Sequence, residues 1–275
     1  MSIKLIALDM DGTLLNPEGK LTARTVKALK DARAHGAIVT LSSGRMPCAL
    51  RPFVKELGID APLICYNGAL VVDSRTEETL SSTPLSIELA REIARVCEEN
   101  DLHIRAYRGE AVVCAEHGKF AQDYLDFLKG TGRLETTGAP LSQCLDFETP
   151  KMLAIDAPAR IAALLPRLKE RFEGRVRVAT SQPRFIEFVN PHAGKAAALS
   201  QLSRMMGVEQ AETAAFGDGL NDMDMIAWAG TGYVMANGAA EMLKAADVIV
   251  PSNAEDGVAQ TVEALIRAGR LGKEG

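Results

Sequence analysis

The sequence predicts an α/β protein, a parallel-sheet core interrupted by an inserted α+β unit. Three observations carry this. Short apolar runs alternate with amphipathic stretches over about the first 80 residues and again beyond about residue 190. The stretch between has strands that are closer together and less continuously apolar. The apolar runs of the outer sections end in polar functional residues, as strands of a parallel sheet do when a ligand sits at their carboxyl ends.

The opening run from Ile3 to Leu8 reads as a strand, and it stops at Asp9-Met10-Asp11-Gly12-Thr13. A helix follows with Thr22 as its N-cap, Val26 and Leu29 on the buried side and Gly36 as the stop. Ala37 to Leu41 returns as a strand ending in Ser42-Ser43-Gly44-Arg45. Pro47 suits the first turn of a helix through Leu57, and Leu63 to Tyr66 makes a third strand that turns at Asn67-Gly68.

Residues 84–189 are read as the inserted unit, with 1–83 and 190–275 forming the core. The insert holds a helix from Ile87 to about Asn100, strands at His103–Tyr107 and Ala111–Cys114, and a helix near Phe120–Leu128. A Gly/Thr-rich loop at 130–138 comes next, then a strand at Met152–Ile155, a helix from Ala159 to Phe172, and a hairpin pairing Val176–Thr180 with Arg184–Val189. From Gly194 the α/β rhythm resumes: a helix to Met206, a strand Thr213–Phe216 leading into Gly217-Asp218-Gly219, and a helix from about Asn221-Asp222. Strands at Gly232–Met235 and Val248–Val250 and a helix from Asp256 to Ala268 complete it.

Composition narrows the function classes. The chain has 275 residues, 47% of them hydrophobic, and a net charge of −5 with Lys and Arg scattered, so it offers no basic footprint for nucleic acid or an anionic membrane. Five cysteines (Cys48, Cys65, Cys97, Cys114, Cys144) form no CxxC pair, which argues against a disulfide framework or a structural zinc site. No leader pattern opens the sequence and no apolar run reaches the ~18 residues of a membrane span, so the expected compartment is the cytoplasm. The four histidines, His35, His103, His117 and His192, show no ligand spacing.

Chemistry concentrates at the strand ends. If the strands are neighbours, Asp9, Asp11, Asp218 and Asp222 bring three or four carboxylates to one crevice together with Ser43 and Asn67. Carboxylates that close do not all stay ionised without a counter-ion, and magnesium suits oxygen ligands of this kind. Lys195 adds a fixed positive charge. An EF-hand is excluded because no Glu follows at the required spacing, and the glycines of "GDGLND" form no Walker loop because no Gly-Lys-Ser/Thr follows.

These residues resemble the haloacid dehalogenase-like phosphatases. Asp9-Met10-Asp11-Gly12-Thr13-Leu14 looks like the first motif of that family, Ser43 the second, Lys195 the third and Gly217-Asp218-Gly219-Leu220-Asn221-Asp222 the fourth. The insert, Tyr66-Asn67-Gly68-Ala69 and the ending "ANGAAEMLKAADVIVPSNAEDGVAQTVEAL" are similar to the Cof-type branch (subfamily IIB) with its class II cap. The resemblance implies a Rossmann-like core with an α+β cap that sets specificity, Mg2+ as cofactor, and a phosphomonoester of a small metabolite, a sugar phosphate above all, as substrate. It implies Asp9 as nucleophile forming an aspartyl-phosphate, Asp11 as general acid and base, and Lys195 as the third catalytic residue. The metal would be held by the Asp9 carboxylate, the Asp11 main-chain carbonyl and Asp218, with Asp222 on a metal water or orienting its neighbours. Ser43, Gly44, Arg45, Asn67, Lys195 and Asn221 make up the implied phosphate- and substrate-binding set, and Thr13 would orient the Asp11 loop.

Two departures stand out: His192-Ala193-Gly194-Lys195-Ala196 where the family commonly reads Gly-Val-Ser-Lys-Gly, and Ser43 where threonine is common. Arg105, Tyr107, Arg108, Arg184 and Glu187 are candidate substrate contacts within the insert. The expected partner is the small phosphorylated metabolite, with no nucleic acid or membrane, in a monomer or homodimer. A phosphosugar mutase would use the same core motifs, and a non-catalytic phosphosugar sensor would be expected to lack Asp9 or Asp11.

Overall fold

The computed structural model of the chain describes residues 2–116, 132–180 and 182–272. The helix expected near Phe120–Leu128 and His117 lie outside the described residues. The chain divides into a first unit, residues 1–81 with 194–275, and a second, residues 82–193.

Along the chain the first unit opens with strand β1 (Leu5–Leu8), helix α1 (Ala23–Ala34), β2 (Ile38–Leu41), α2 (Pro47–Leu57), β3 (Leu63–Cys65), β4 (Leu70–Val72) and β5 (Thr79–Ser82). The second unit supplies α3 (Ile87–Glu98), β6 (His103–Arg108), β7 (Ala111–Cys114), β8 (Arg133–Thr136), a short α4 (Leu141–Cys144), β9 (Met152–Ile155), α5 (Pro158–Arg171), β10 (Arg177–Ala179) and β11 (Phe185–Val189). The chain returns with α6 (Lys195–Met205), β12 (Thr213–Gly217), α7 (Met223–Trp228), β13 (Thr231–Met235), α8 (Ala240–Ala245), β14 (Val248–Val250) and α9 (Gly257–Arg267).

The first unit is built on a parallel five-stranded sheet in the order β14-β13-β12-β1-β2, with Leu8 beside Phe216 on one side and Leu41 on the other. Its central strands β1 and β12 are buried along their whole length, β1 with an entirely apolar sequence, as in a sheet covered on both faces. Leu5 and Ala7 pack with Leu199, Leu202, Met225 and Ile226 in one core cluster. Thr22 caps α1 as the sequence predicts, its hydroxyl accepting from the Thr25 amide at 3.1 Å.

β3 departs from expectation. It belongs to a separate three-stranded sheet, β3-β4-β5, and touches the main sheet through a single parallel bridge between Ser42 and Ile64. A run of three residues is too short for a long ladder, but that bridge fixes the height at which the chain delivers Tyr66 and Asn67. The helix expected from Asn221 begins as a 3-10 turn, Leu220–Asp222, and becomes α7 only at Met223.

The second unit is a six-stranded sheet, β10-β11-β9-β6-β7-β8. Ile104, Ala106, Met152, Ala154, Ile186 and Phe188 form its core face with Ile93 of α3 and Ile161 of α5. Alternation along each strand sends Arg105, Tyr107, Lys151 and Glu187 to the opposite face. The predicted hairpin is present, Val178 opposite Phe188. The predicted loop at 130–138 contains β8 instead, which among the described residues pairs in parallel with β7 at the sheet edge. Its polar sequence Arg-Leu-Glu-Thr hides the strand because an edge needs no continuous apolar run.

Candidate active site

The sheet order makes the ends of β1, β2 and β12 neighbours, and this delivers the side chains. Asp9 follows β1 with its amide bonded to the Phe216 carbonyl at 3.0 Å, so Asp9 and the strand that leads into Gly217-Asp218-Gly219 are tied by the ladder itself. Lys195 opens α6 and is 1% exposed. Its ammonium donates to Asp9 Oδ1 at 2.6 Å, Asp222 Oδ1 at 2.5 Å and the Ser42 carbonyl at 2.8 Å, which uses all three of its protons.

Asp222 is fully buried, and its second oxygen accepts from the amides of Asp218 and Gly219 at 3.2 and 3.0 Å. Both its oxygens are therefore committed, one to Lys195 and one to the Gly217–Gly219 loop. Asp218 is half-buried and accepts from the Thr13 hydroxyl at 2.7 Å through Oδ1. Ligand atoms of Asp9, Asp218 and Asp222 all lie within 4.8 Å of one another, the one such cluster among the described residues. Asp9 Oδ2 and Asp218 Oδ2 stand outside the hydrogen bonds named here, so the donor set that fits a hard cation is these two carboxylates, with Asp222 behind them.

Electrostatics agree with that fit. Burial, reinforced by the neighbouring charge of Asp222, pushes the Asp9 carboxyl well above the usual range, against the pull of Lys195. Burial also pushes Asp218 up, to about 6, with the Thr13 hydrogen bond opposing and Asp222 adding to the rise. Burial works against the Lys195 charge, but Asp222 and Asp9 outweigh it and the ammonium stays protonated. Carboxylates held this close in a sheltered place are what a divalent ion relieves.

Gly12 permits the approach of the two motifs. Its φ is +86°, and a Cβ there would stand 2.3 Å from Asp218 Oδ2. Asp11, two residues after Asp9, is not in the acidic cluster. Its carboxylate, 57% exposed, is gripped by the Arg45 guanidinium, Nε to Oδ2 at 2.9 Å and Nη2 to Oδ1 at 2.6 Å. The Asp11 side chain thus lies outside the acidic cluster, as expected of a residue whose implied metal contact is its main-chain carbonyl, and Arg45 is paired with it.

Ser43 is buried at the end of β2, its hydroxyl accepting from the Arg45 amide at 3.2 Å and its carbonyl from the Asn67 amide at 2.9 Å. Asn67 is buried in a left-handed conformation (φ 56°) and its Oδ1 accepts from Asn221 Nδ2 at 3.2 Å. Gly44 lies against it, a Cβ there falling 3.0 Å from Asn67 Oδ1. All the residues singled out for the core therefore converge at one end of the sheet. The same turn carries Gly68, whose φ is +93° and where a Cβ would stand 2.1 Å from the Gly194 carbonyl oxygen, so the entry to Lys195 rests directly on it.

Sequence reasoning passed over the residues that brace the first motif from behind. Asn237 Nδ2 donates to the Gly12 carbonyl at 2.8 Å, and its own oxygen accepts from the Asn253 amide at 3.0 Å. Asn253 Nδ2 in turn donates to the Leu15 carbonyl at 2.7 Å. Their signal is only Asn in turn-like settings, which is common for other reasons.

In the second unit, Glu187 is buried with Lys151 at 3.5 Å, and the Lys151 ammonium stands 5.4 Å from the centre of the Tyr107 ring. Arg105 and Tyr107 are fully buried on the same sheet face. Arg108 lies apart, exposed and paired with Glu135 at 2.6 Å, and Arg184 is exposed. Lys151 was not among the residues the sequence suggested.

Fold and site together define an α/β protein with a lysine-anchored acidic cluster at the carboxyl ends of a parallel sheet. Residues 6–262 match the family model described as haloacid dehalogenase-like hydrolase, and the chain belongs to that family. It is a phosphatase-type enzyme, similar to the HMP-PP phosphatase of Serratia proteamaculans, 30% identical over 85% of this chain and 84% of that protein. It is also similar to the pyridoxal phosphate phosphatase YbhA of Escherichia coli, 27% identical over 95% and 98%. A crystal structure of a haloacid dehalogenase-like hydrolase from Bacteroides thetaiotaomicron superposes with a TM-score of 0.86 at 30% identity, covering 96% of this chain and 99% of that one. Among the described residues no helix is long and apolar enough to cross a membrane.

Proposed function

We propose that the chain is a magnesium-dependent phosphomonoesterase for small phosphorylated metabolites, sugar phosphates in first place, working through an aspartyl-phosphate on Asp9. The observation that carries the reading is the buried Lys195 ammonium bonded to both Asp9 and Asp222 beside Asp218. Magnesium, when held by Asp9 and Asp218, would supply positive charge against the phosphoryl oxygens.

The remaining work falls to the chain's own groups. Lys195 fixes the Asp9 carboxylate so that one oxygen stays aimed outward as nucleophile. A bond forms from that oxygen to phosphorus while the bond from phosphorus to the ester oxygen breaks. The ester oxygen takes the electron pair and the Asp11 proton, and leaves as the alcohol. In the second half a water oxygen attacks phosphorus, its proton passes to the Asp11 carboxylate, and the Asp9–phosphorus bond breaks to give phosphate and the starting carboxylate. Ser43 is read as a partner of the phosphoryl oxygens, Lys195 as the fixed positive charge behind them while its protons stay on Asp9, Asp222 and the Ser42 carbonyl, and Asn67 with Asn221 as neighbours at the rim. Asp222 is read as a support that orients Lys195 and the 217–219 loop.

The inserted unit is read as the part of the chain that selects among substrates. HMP-PP and pyridoxal phosphate, named for relatives, support a substrate that is small and phosphorylated. The free cysteines suit the reducing cytoplasm.

Phosphate release from a panel of phosphorylated metabolites, with magnesium, with EDTA, and with Asp9→Asn, tests the reading. Turnover that needs the metal and disappears in the variant is the expected result. Release that persists in Asp9→Asn would overturn the covalent route, and release that survives EDTA would overturn the metal requirement.

A further inference from the structure

We propose that Arg45 is shared between two anions: it holds the Asp11 carboxylate when no phosphoryl group is bound and turns to the phosphoryl oxygens when one arrives, releasing Asp11. The inference rests on the phosphoryl site proposed above.

The resting half of the exchange is in the structure. Both Asp11 oxygens accept from one guanidinium edge, at 2.9 and 2.6 Å, a fork that fixes the plane of the carboxylate as well as its position. The two partners are unequal. Arg45 is the sheltered one, its side chain 18% exposed against 57% for Asp11. Its backbone is tied at both ends, the amide to Ser43 Oγ at 3.2 Å and the carbonyl to the Tyr66 amide at 3.1 Å, and its guanidinium carbon lies 5.6 Å from the centre of the Phe53 ring. Asp11 rides on the turn closed by the Met10 carbonyl, which accepts from the Leu14 and Leu15 amides. The backbone of Arg45 is thus anchored while its guanidinium end changes partner, and the exposed Asp11 carboxylate is the group set free.

The pair is incompatible with the role given to Asp11. A carboxyl that delivers a proton to the ester oxygen must reach that oxygen, whereas here its two oxygens are occupied by the guanidinium. A phosphoryl dianion is the natural competitor, because it too accepts a guanidinium fork and carries more charge. Arrival of the substrate would itself uncover the acid, and departure of phosphate would cover it again. Such a device keeps Asp11 from acting on water when the site is vacant.

Competition makes a prediction that simple charge repulsion does not. Inorganic phosphate binding to the magnesium-loaded protein is measured by calorimetry for the wild type, Asp11→Ala, Arg45→Ala and the double variant. Removing the competitor, Asp11→Ala tightens phosphate about two- to five-fold, the size expected for a solvent-facing ion pair. Arg45→Ala weakens it, and in that background Asp11→Ala has no further effect, so the cycle shows coupling.

Equal tightening in both backgrounds would mean that Asp11 merely repels phosphate, and would overturn the proposal while leaving the phosphoryl site standing. Unchanged affinity in Arg45→Ala would do the same. No phosphate binding by the wild type would overturn the phosphoryl site and the shared arginine together. Asp11→Asn, which keeps the side-chain volume, serves as the second variant, and circular dichroism confirms that each protein is folded.

Discussion

Lys195 and Asp9, 186 residues apart in sequence, are joined by a 2.6 Å hydrogen bond where the lysine side chain meets no solvent and the aspartate almost none. A charge pair so sheltered gains little net stability from its own attraction, but losing one partner strands the other. Lys195→Met should therefore cost about 3–5 kcal/mol in a urea melt near neutral pH. It removes the one influence that holds the Asp9 carboxyl down. The folded variant then binds more protons than the unfolded chain, so its stability rises as pH falls and its deficit narrows below neutrality. A deficit that is flat with pH would contradict this.

Asp218 gives the site a pH signature for metal binding. Burial raises its carboxyl to about 6, and the proton must leave before a cation is bound there. Magnesium affinity should be level above about pH 6 as far as this group is concerned and fall below it, by about tenfold per unit once one proton is displaced per ion. Thr13→Val removes the hydroxyl that favours the ionised form and should move that break to higher pH. Calorimetry across pH in two buffers of different ionisation heat reads both the affinity and the proton count.

Gly68→Ala tests the seat beneath Lys195. The new methyl would meet the Gly194 carbonyl oxygen at 2.1 Å in a backbone conformation with φ +93°. Strain and overpacking together should cost about 2–4 kcal/mol. Thermal melting should show the loss, with activity falling further than stability because α6 carries Lys195 at its first residue.

Asn237→Ala tests the brace behind the first motif. It deletes hydrogen bonds to the Gly12 carbonyl and from the Asn253 amide at a cost of about 1 kcal/mol. The turn carrying Asp11 should then be less well placed, and kcat should drop about tenfold with KM nearly constant. A pure KM effect would show that Asn237 serves binding instead.

The residues that announced the site were those whose chemistry is local to a motif. Two acids flanking Met10 at the end of an apolar run, and a second pair in Gly-Asp-Gly-Leu-Asn-Asp, are legible because few structural needs place carboxylates there. Asn237 and Asn253 escaped because they act on main-chain carbonyls, which no side-chain pattern encodes. The outward turn of Asp11 to Arg45 was equally hidden, since a rotamer is chosen by its neighbours and not by spacing. β8 was missed for a third reason: an edge strand is stabilised by pairing on one side, so its sequence carries alternating charge, here Arg133 and Glu135 joined at 3.0 Å.

One hydrogen bond at the base of the second unit has a wider meaning. Asn190 Nδ2 donates to the Pro84 carbonyl at 2.8 Å, closing a span of 106 residues back on its own starting point. A unit whose entrance and exit meet makes small demands on its host, which needs only a single surface turn to accept it. If the insert selects the substrate, as proposed, exchange of the whole insert alters what is recognised while the carboxylates and lysine of the host stay untouched. Diversity of diet and constancy of chemistry would then evolve on separate clocks within one polypeptide.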